Sequence, residues 1–366
     1  MTCEYFGICG SCTLFDKTYQ EQLSYKVDTI KDEFGLSTLD IITSKESNFR
    51  ARAEFRIYHD DEGISYAMNT LERKGLLKID SCSIVSQKIS KLMEKLLKTI
   101  SPNKLLKERL FAVEFLSSNI DKVLVTLIYH KKIDQTWEEE AKKLAEKLNI
   151  ELIGRSRKVK IVVTKEYIEE ELTIEDKKYF YRLYDTGFTQ PNSGVNEKMI
   201  GWVKNKIGNC DDDLLELYCG HGNFTIALSF HFKKILATEI SKQSIKTARE
   251  NCTLNKVDNI EFIRLSSEEL VQALNKKREF RRLAGIDLDK YKFDTVFVDP
   301  PRAGLDTQTL DFIKGFKRII YISCNPQTLK RDLEKLKKNF EVLDFAVFDQ
   351  FAYTHHIECG VVLKSV

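Results

Sequence analysis

The sequence predicts an α/β fold in the second half of the chain and an α+β fold before it. Residues 214–217 form an apolar strand that runs into a Gly220-x-Gly222 turn and then into a helical pattern. Apolar strands and helical segments alternate from there onward, as in a parallel sheet covered by helices on both faces. Earlier strands and helices follow in mixed order. We therefore expect an N-terminal segment at 1–45, an α+β domain at 46–180 and a Rossmann-like domain at 181–366.

The individual elements follow from hydrophobic spacing and turn signals. Helical spacing predicts helices near residues 14–35, 89–100 and 137–148, and alternation predicts a strand at 49–56. Asp60-Asp61-Glu62-Gly63 and Ser117-Ser118-Asn119 are typical of hairpin turns. In the second half we expect strands near 235–239, 260–265, 295–298 and 319–322, helices at 241–255 and 267–283, and two late strands joined by a polar turn.

The amino-acid composition is that of an ordinary soluble protein. The 366 residues are 42% hydrophobic and 31% charged, with a net charge of +3. No apolar run approaches the length of a membrane span, and the first residues do not resemble a signal peptide, so we expect a cytoplasmic protein without a membrane partner. Nine cysteines in such a protein favour metal binding or catalysis over disulfides. Charge alone neither requires nor excludes a nucleic-acid partner, and no obligatory protein partner is predicted.

The Gly220-x-Gly222 turn predicts a nucleotide-like cofactor. Glycine lets the backbone turn tightly and approach a ligand closely. The next strand ends at Glu239, 19 positions beyond Gly220, where Rossmann-like folds bind ribose hydroxyls. The third glycine of a dinucleotide motif is missing, so a smaller adenosyl ligand, S-adenosylmethionine, fits best.

Cys324 ends the apolar run 319–322 and is followed at once by a turn. Such a thiol lies at the carboxyl edge of the sheet, where open α/β folds bind ligands, and is either a nucleophile or a packed cysteine. Asp299-Pro300-Pro301-Arg302 fixes a carboxylate and a guanidinium at the same edge, and the two late strands return Glu358 there. Arg302 could neutralise charge on a ligand or form a loop salt bridge. A thiolate, a base and a methyl donor are the minimum set for methylating C5 of a pyrimidine.

Three further features of the sequence are candidates for a function. Cys3, Cys9 and Cys12 lie close together in sequence, and with Cys82 they predict a [4Fe-4S] cluster or a zinc site, or else incidental thiols. Arg50, Arg52 and Arg56 alternate along a strand and could face phosphates or simply solvent. The loop around Phe188 and Gln190 has the make-up of a ligand-contacting segment.

Long motifs resemble those of the RNA uracil-C5 methyltransferases, in particular their tRNA branch. They are Leu-Glu-Leu-Tyr-Cys-Gly-x-Gly-Asn-Phe, Phe-Val-Asp-Pro-Pro-Arg-x-Gly-Leu, Tyr-Ile-Ser-Cys-Asn-Pro and Asp-Gln-Phe-x-Tyr-Thr-His-His-x-Glu-Cys-Gly, with shorter matches over nearly the whole chain. The resemblance implies a class I methyltransferase domain with Cys324 as nucleophile and Glu358 as proton acceptor. It also implies a set of residues around S-adenosylmethionine: Gln190, Tyr218, Asn223, Glu239 and Asp299, the last also near the uracil.

The same resemblance implies the substrate. The central domain would bind the T arm of tRNA, and uridine 54 would flip out to reach the thiol and become 5-methyluridine; the equivalent uridine of transfer-messenger RNA is a further expected target. One departure keeps an alternative open, because the N-terminal cysteines resemble the iron-sulfur site of the ribosomal RNA branch, which methylates 23S RNA. An RNA-binding folding factor with secondary catalysis is the alternative from another class.

Overall fold

The computed structural model describes residues 2–208 and 210–366, and its elements alternate as follows. The first part contains α1 (Tyr19–Phe34), β1 (Asp40–Ile42), β2 (Arg52–Asp60), β3 (Gly63–Asn69), β4 (Leu76–Ile79), α2 (Gln87–Ile100), α3 (Lys104–Lys107), β5 (Leu110–Ser117), β6 (Val123–Tyr129), α4 (Gln135–Leu148), β7 (Glu151–Ser156), β8 (Val159–Val162), β9 (Tyr167–Ile174) and β10 (Lys177–Tyr184). The second part contains α5 (Ser193–Ile207), β11 (Asp213–Leu217), α6 (Thr225–Leu228), β12 (Ile235–Thr238), α7 (Lys242–Asn255), β13 (Ile260–Ile263), α8 (Ser267–Leu274), β14 (Phe293–Val298), α9 (Thr307–Ile313), β15 (Arg318–Ser323), α10 (Pro326–Leu336), β16 (Phe340–Phe348) and β17 (Glu358–Ser365).

An eight-stranded sheet forms the second part, in the order β1-β16-β17-β15-β14-β11-β12-β13. The strands from β15 to β13 pair in parallel, and β17 is antiparallel to both of its neighbours. β11 is flanked by β14 on one side and β12 on the other, which is the point of strand-order reversal where such sheets bind ligands. The predicted Rossmann-like α/β fold is confirmed.

The N-terminal helix α1 packs against this eight-stranded sheet. Thr18 and Glu21 form a capping box at the start of α1, and Gly35 ends the helix in the left-handed conformation at φ 66°. The buried face of α1 shares a hydrophobic core with β14, β15 and β17, and β1 extends the same sheet alongside β16. The segment 1–45 therefore contributes both a helix and a strand to the sheet that carries the predicted site.

A second sheet of seven strands forms the central part, in the order β4-β3-β2-β5-β6-β7-β8. The hairpins predicted at Asp60-Gly63 and Ser117-Asn119 are present, and α2 and α4 match the predicted helices. Gly154 is required by packing, because a Cβ there would lie 2.2 Å from the Trp137 ring. The α+β prediction for this part is confirmed.

The β9–β10 ribbon links the two sheets. Its apolar residues share one core with α5 and with the face of the large sheet that α5 covers. After β10, residues 185–192 lead into α5, whose N-cap Asn192 accepts a hydrogen bond from the Val195 amide. This connection brings the Phe188 and Gln190 loop to the large sheet.

One predicted helix is shorter than expected. The segment 267–283 forms a helix only to Leu274. Asn275 then leaves the helix and Lys276 adopts a left-handed φ of 55°, closed by the hydrogen bond from the Lys277 amide to the Gln272 carbonyl. The helical spacing of apolar residues misled the prediction, because Phe280 and Leu283 pack against the core from a separate short turn and not from α8.

Among the described residues, no helix is long and apolar enough to cross a membrane.

Candidate active site

The Ser323-Cys324-Asn325-Pro326 turn presents the thiol at the edge of the sheet. The Ser323 hydroxyl accepts a hydrogen bond from the Asn325 amide, 3.2 Å, and Asn325 caps α10 by accepting from the Gln327 amide, 3.2 Å. Pro326 occupies the first turn of α10, where its missing N–H costs nothing. Asn325 also donates to the Arg302 carbonyl, 2.9 Å. The turn thus ties the loop after β14 to the thiol.

Cys324, directly after β15, lies beside Glu358, the first residue of the antiparallel neighbour β17. Ser323 of β15 pairs with Cys359 of β17, and continuing that register by one residue places Cys324 opposite Glu358. Residues in this relation have Cβ atoms about 5 Å apart. The antiparallel turn between β16 and β17 is therefore what brings residue 358 beside residue 324.

Strand alternation puts three reactive side chains on one face. Ile322, Phe297 and Val362 belong to the core that α5 covers, so residues two positions along each strand point the same way. Cys324 is two positions after Ile322, and Asp299 is two positions after Phe297. Glu358 is four positions before Val362 and points to the same face from the start of β17. One face of the sheet therefore carries a thiol and two carboxyl groups at its edge.

Burial sets the protonation of this group. Burial raises the pKa of the Cys324 thiol to about 11, with repulsion from Glu358 and Asp299 adding to the shift and Arg302 opposing it. Burial also raises the pKa of Asp299 to about 7. The pKa of Glu358, which is 3% exposed, lies well above its ordinary range through burial and then repulsion from Asp299. Perturbed titratable groups gathered at one sheet edge are typical of an active site.

The glycine turn after β11 has the geometry of a ligand cradle. Tyr218, Gly220 and Gly222 all have positive φ, at 63°, 56° and 85°. A Cβ on Gly220 would enter open space, with no atom within 4 Å among the described residues. Glu239 accepts from the Gly220 amide, 3.3 Å, so the predicted carboxylate and the predicted glycine are in contact.

Tyr218, directly after β11, has an unusual backbone conformation and a hydrogen bond to α8. A tyrosine is strained in the left-handed conformation, and strained residues concentrate at functional sites. Its hydroxyl shares a 2.7 Å hydrogen bond with the Ser267 hydroxyl at the start of α8. That contact holds Tyr218 across the end of the sheet.

Gln190 and Asn223 are each held by a second amide. Gln350 donates to the side-chain oxygen of Gln190, 2.7 Å. Asn223 and Asn196 of α5 exchange two hydrogen bonds, both 2.9 Å. The structure therefore brings Gln190 and Asn223 to the face of the sheet that carries Cys324.

The sequence pattern missed Gln350 as a site residue. Its side chain is 1% exposed, and its amide oxygen has no hydrogen-bond partner among residues 2–208 and 210–366. A buried polar atom without a partner is costly, which marks a place where a ligand can complete the bonding. The sequence signal that could have identified Gln350 is its place in the Asp-Gln-Phe motif, two residues after β16 ends at Phe348.

The three strand arginines have different environments. Arg50 precedes β2 and lies half-buried beside Cys12 and Cys82, and its Nε donates to the Arg52 carbonyl, 2.8 Å. Arg52 pairs with Glu114 and donates to the carbonyls of Asp185 and Gly187. Arg56 is exposed. Two of the three guanidinium groups thus make hydrogen bonds within the protein, and contact of the three arginines with phosphates stays a prediction.

Phe188 is the most exposed aromatic residue near the site, at 70%. Arg52 holds the loop from one side, and Asp185 forms ion pairs with Arg155 and Lys160. A rigid loop that points a bare aromatic ring into solvent is suited to stacking on a base. At the other side of the edge, Arg302 lies 3.2 Å from the His356 ring.

The four N-terminal and central cysteines approach one another. Gly10 donates to the Asn69 carbonyl, and Ser83 donates to the Thr2 carbonyl, so the first residues lie on the loops around β4. Burial raises the pKa of Cys12 to about 12, with further contributions from Cys82, Cys9 and Cys3. All nine cysteines are free thiols. Among the residues described, however, no group of three or more His, Cys, Asp or Glu side chains is arranged to hold a metal ion.

Comparisons with known proteins show which family the chain belongs to. A protein from Aliarcobacter butzleri called tRNA/tmRNA (uracil-C(5))-methyltransferase is 55% identical over the full length of both chains. A protein of the same name from Acinetobacter baylyi is 46% identical over 96% of this chain and 99% of its own. The crystal structure of Pyrococcus abyssi tRNA (uracil-54, C5)-methyltransferase in complex with S-adenosyl-L-homocysteine has a similar fold, with a TM-score of 0.74 at 24% identity over 96% of this chain and 85% of that one. The family model described as tRNA (Uracil-5-)-methyltransferase matches residues 18–366, and the chain belongs to that family.

Proposed function

We propose that the protein transfers a methyl group from S-adenosylmethionine to C5 of uridine 54 in the T loop of tRNA, and to the equivalent uridine of transfer-messenger RNA. The observation that carries this proposal is the placement of Cys324 opposite Glu358, with Asp299 on the same face. The family and the names of the relatives support the reaction class and the RNA. We expect the reaction to take place in the cytoplasm, where these RNAs are found.

Cys324 supplies the nucleophile that makes C5 reactive. Its thiolate adds to C6 of uracil, and the electron pair of the C5–C6 bond moves toward O4 to give an enolate. Asp299 lies beside the reacting thiol, where the uracil edge would bind. Arg302, which acts on both Cys324 and Glu358, offsets negative charge there.

Glu358 completes the reaction as the base. After C5 has accepted the methyl group, that carbon still carries its original proton and the adduct is saturated. The Glu358 carboxylate removes the proton, the C5–C6 double bond forms again, and the Cys324 thiolate leaves. The closeness of residues 324 and 358 across β15 and β17 lets one site perform both halves.

The glycine turn fits the methyl donor. Bound S-adenosylmethionine supplies an electrophilic methyl group on a sulfonium. Gly220 opens to free space and Glu239 stands at the end of β12, where it can bind ribose hydroxyls. Ile240, which follows it, is 64% exposed and offers an apolar wall for an adenine ring. Glu216 is 1% exposed and one of its carboxyl oxygens lacks a partner within the described chain, a second sign of a polar ligand.

RNA reaches the site by unstacking one base. A duplex or folded loop cannot bring C6 of uracil to a thiol at a sheet edge, so the uridine must flip out. Phe188 can stack on an exposed base, and Arg56 can contact phosphates from the central sheet. These two residues and Arg302 are the RNA contacts that we propose.

Transfer of labelled methyl groups to purified tRNA and ribosomal RNA in parallel tests the substrate. We expect label in tRNA alone, and nucleoside mapping should place it at the T-loop uridine as 5-methyluridine. Label in 23S RNA instead would favour the ribosomal RNA alternative, whose one support is the sequence resemblance of the N-terminal cysteines. Label in neither RNA, from protein that binds cofactor, would reject the proposed function.

The reaction rate is expected to rise with pH. The mechanism needs Cys324 and Glu358 in their deprotonated forms, and both have raised pKa values. With a thiol pKa of about 11, the thiolate fraction grows about tenfold per pH unit below that value. Single-turnover methyl transfer at saturating RNA and cofactor should therefore increase from about pH 6.5 to pH 9. A rate that falls over this interval would contradict the need for both ionisations.

We further propose that Cys3, Cys9, Cys12 and Cys82 bind a [4Fe-4S] cluster or zinc. What supports the proposal is the spacing of the cysteines in the sequence, the electrostatic influence of Cys3, Cys9 and Cys82 on Cys12, and the Arg50 cation beside Cys12 and Cys82. The described residues hold no preformed group of three ligands, so metal binding would have to draw the four thiols together. Protein purified without oxygen should contain either iron with sulfide or about one zinc per chain. Cys82→Ser should lose that content, and the control Cys210→Ser should keep it. A folded sample free of iron, sulfide and zinc would reject the site.

A further inference from the structure

A fully buried ion pair joins the N-terminal helix to the segment that precedes Glu358. Lys26 of α1 lies 2.8 Å from a carboxylate oxygen of Asp349, and the two side chains are 1% and 0% exposed. The Lys26 ammonium also donates to the Phe351 carbonyl, 2.9 Å. Gln22, one turn earlier on α1, donates to the other oxygen of Asp349, 2.9 Å. The proposed reaction uses none of these groups.

These contacts fix the backbone of residues 349–353. Gln22 accepts a hydrogen bond from the Tyr353 amide, 3.2 Å, with the oxygen of the same side chain that holds Asp349. Tyr353 has a left-handed φ of 61°, a strained conformation for tyrosine. Its carbonyl accepts from the Leu14 amide, 3.0 Å, and its hydroxyl donates to the Glu46 carbonyl, 3.0 Å. Residues from the N-terminal part of the chain therefore hold this segment at both of its ends.

The same segment reaches the active site through its next residue. The chain turns directly after β16, where the Gln350 amide donates to the Phe348 carbonyl, 2.8 Å. At this turn Asp349 contacts α1, while the Gln350 side chain donates to Gln190. Downstream, the chain passes His356 beside Arg302 and enters β17 at Glu358. A shift of residues 349–353 would therefore move Gln350 directly and change the entry of Glu358 into the sheet.

Stability alone does not account for this pair. Burying two charges costs desolvation that their attraction only partly offsets, and apolar residues of similar size often stabilise a core as well or better. Burial accordingly lowers the pKa of Lys26, and attraction to Asp349 opposes that shift. A directional pair with three further hydrogen bonds, in contrast, fixes one backbone position.

We infer that Lys26 and Gln22 are positioning residues for methyl transfer, acting through Asp349 to set Gln350 and Glu358. This inference rests on the proposed function. According to this inference, α1 helps to position the active-site residues at the edge of the eight-stranded sheet.

Kinetics of four variants test the inference: Lys26→Met, Asp349→Asn, the double variant of both, and the control Lys330→Met. The control removes the 3.3 Å ion pair between Lys330 of α10 and Glu33, which joins α1 to α10 and is partly exposed to solvent. For Lys26→Met we expect kcat on tRNA to fall about 30-fold or more per folded molecule, because small displacements of reacting groups are costly. KM for tRNA and the Kd for S-adenosylmethionine should change less than about threefold.

Two readouts separate positioning from a general loss of structure. The fraction of protein trapped as a covalent RNA adduct should rise in Lys26→Met, since a displaced Glu358 slows proton removal more than thiol addition. The double variant should recover part of kcat, because it no longer buries an unpaired carboxylate. Lys330→Met should keep the kcat of the unmodified protein. A folded Lys26→Met protein with unchanged kcat would overturn the inference.

A second variant keeps the test decisive if Lys26→Met does not fold. Gln22→Ala removes two hydrogen bonds and leaves the ion pair, so we expect a folded protein whose kcat is lower by about fivefold to tenfold. Unchanged kcat in Gln22→Ala would then overturn the inference. If the unmodified protein itself transfers no methyl group to tRNA, the proposed function fails instead.

Discussion

Replacing Cys324 with alanine should lower methyl transfer to tRNA by about 10⁴-fold or more, with RNA binding retained. The reason is chemical, since C5 of uracil becomes nucleophilic only after a thiolate has added to C6. A loss of this size corresponds to about 5.4 kcal/mol of transition-state stabilisation. Cys324 is only partly buried, so its truncation should change the free energy of unfolding little. Single-turnover transfer and a tRNA-binding titration on the same preparation measure both quantities.

Cys252→Ala is a matched control for this prediction. Cys252 is a buried thiol of α7, away from the β15 edge, and its loss should leave the rate within about threefold. If Cys324→Ala protein still methylates tRNA at the normal rate, Cys324 is not the nucleophile. Protein that loses transfer but keeps tRNA binding would also argue against a folding factor in which catalysis is secondary.

Replacing Glu358 with glutamine should trap the reaction after methyl transfer. Glutamine has nearly the same shape but cannot remove the C5 proton, so the bond between Cys324 and C6 persists. We expect turnover to fall by about 10³-fold and a covalent protein–RNA adduct that carries the new methyl group to accumulate. Because the pKa of Glu358 is already raised well above its ordinary range, the neutral substitute should preserve folding. A denaturing gel with labelled cofactor, followed by mass analysis, detects the adduct.

The control for this prediction is Glu341→Gln. Glu341 is an exposed residue of β16, and its substitution should leave both turnover and adduct level unchanged. Normal turnover without adduct in Glu358→Gln would assign proton removal to another group, such as Asp299 on the same face.

The sequence predicted the architecture because its strongest signals are local. The Gly220-x-Gly222 turn, the alternation of strands and helices, and the Cys324 strand end all depend on residues close together in the chain. The resemblance to RNA uracil-C5 methyltransferases is confirmed by the family match. The helix that begins at Ser267 was too long in the prediction, because Lys276 closes it with a left-handed φ that composition does not reveal.

Long-range contacts could not be read from the same signals. Lys26 and Asp349 lie 323 positions apart, and an amphipathic helix pattern gives no reason to expect a buried lysine. The strand arginines showed the right alternation, yet Arg50 and Arg52 have partners within the protein that only the tertiary fold supplies. Tyr218 carried a family motif, but its positive φ emerged only from the turn geometry. In each case the deciding partner lies in another element.

Release of tritium from C5 tests the central claim most directly. If Cys324 adds to C6 and Glu358 removes the C5 proton, tRNA that contains [5-³H]uridine should release one tritium to water for each methyl group gained. Cys324→Ala should release none, and Glu358→Gln should gain methyl in its adduct with little release. Methyl incorporation without tritium release from the unmodified protein would show that the methyl group goes to another atom, and would contradict the account.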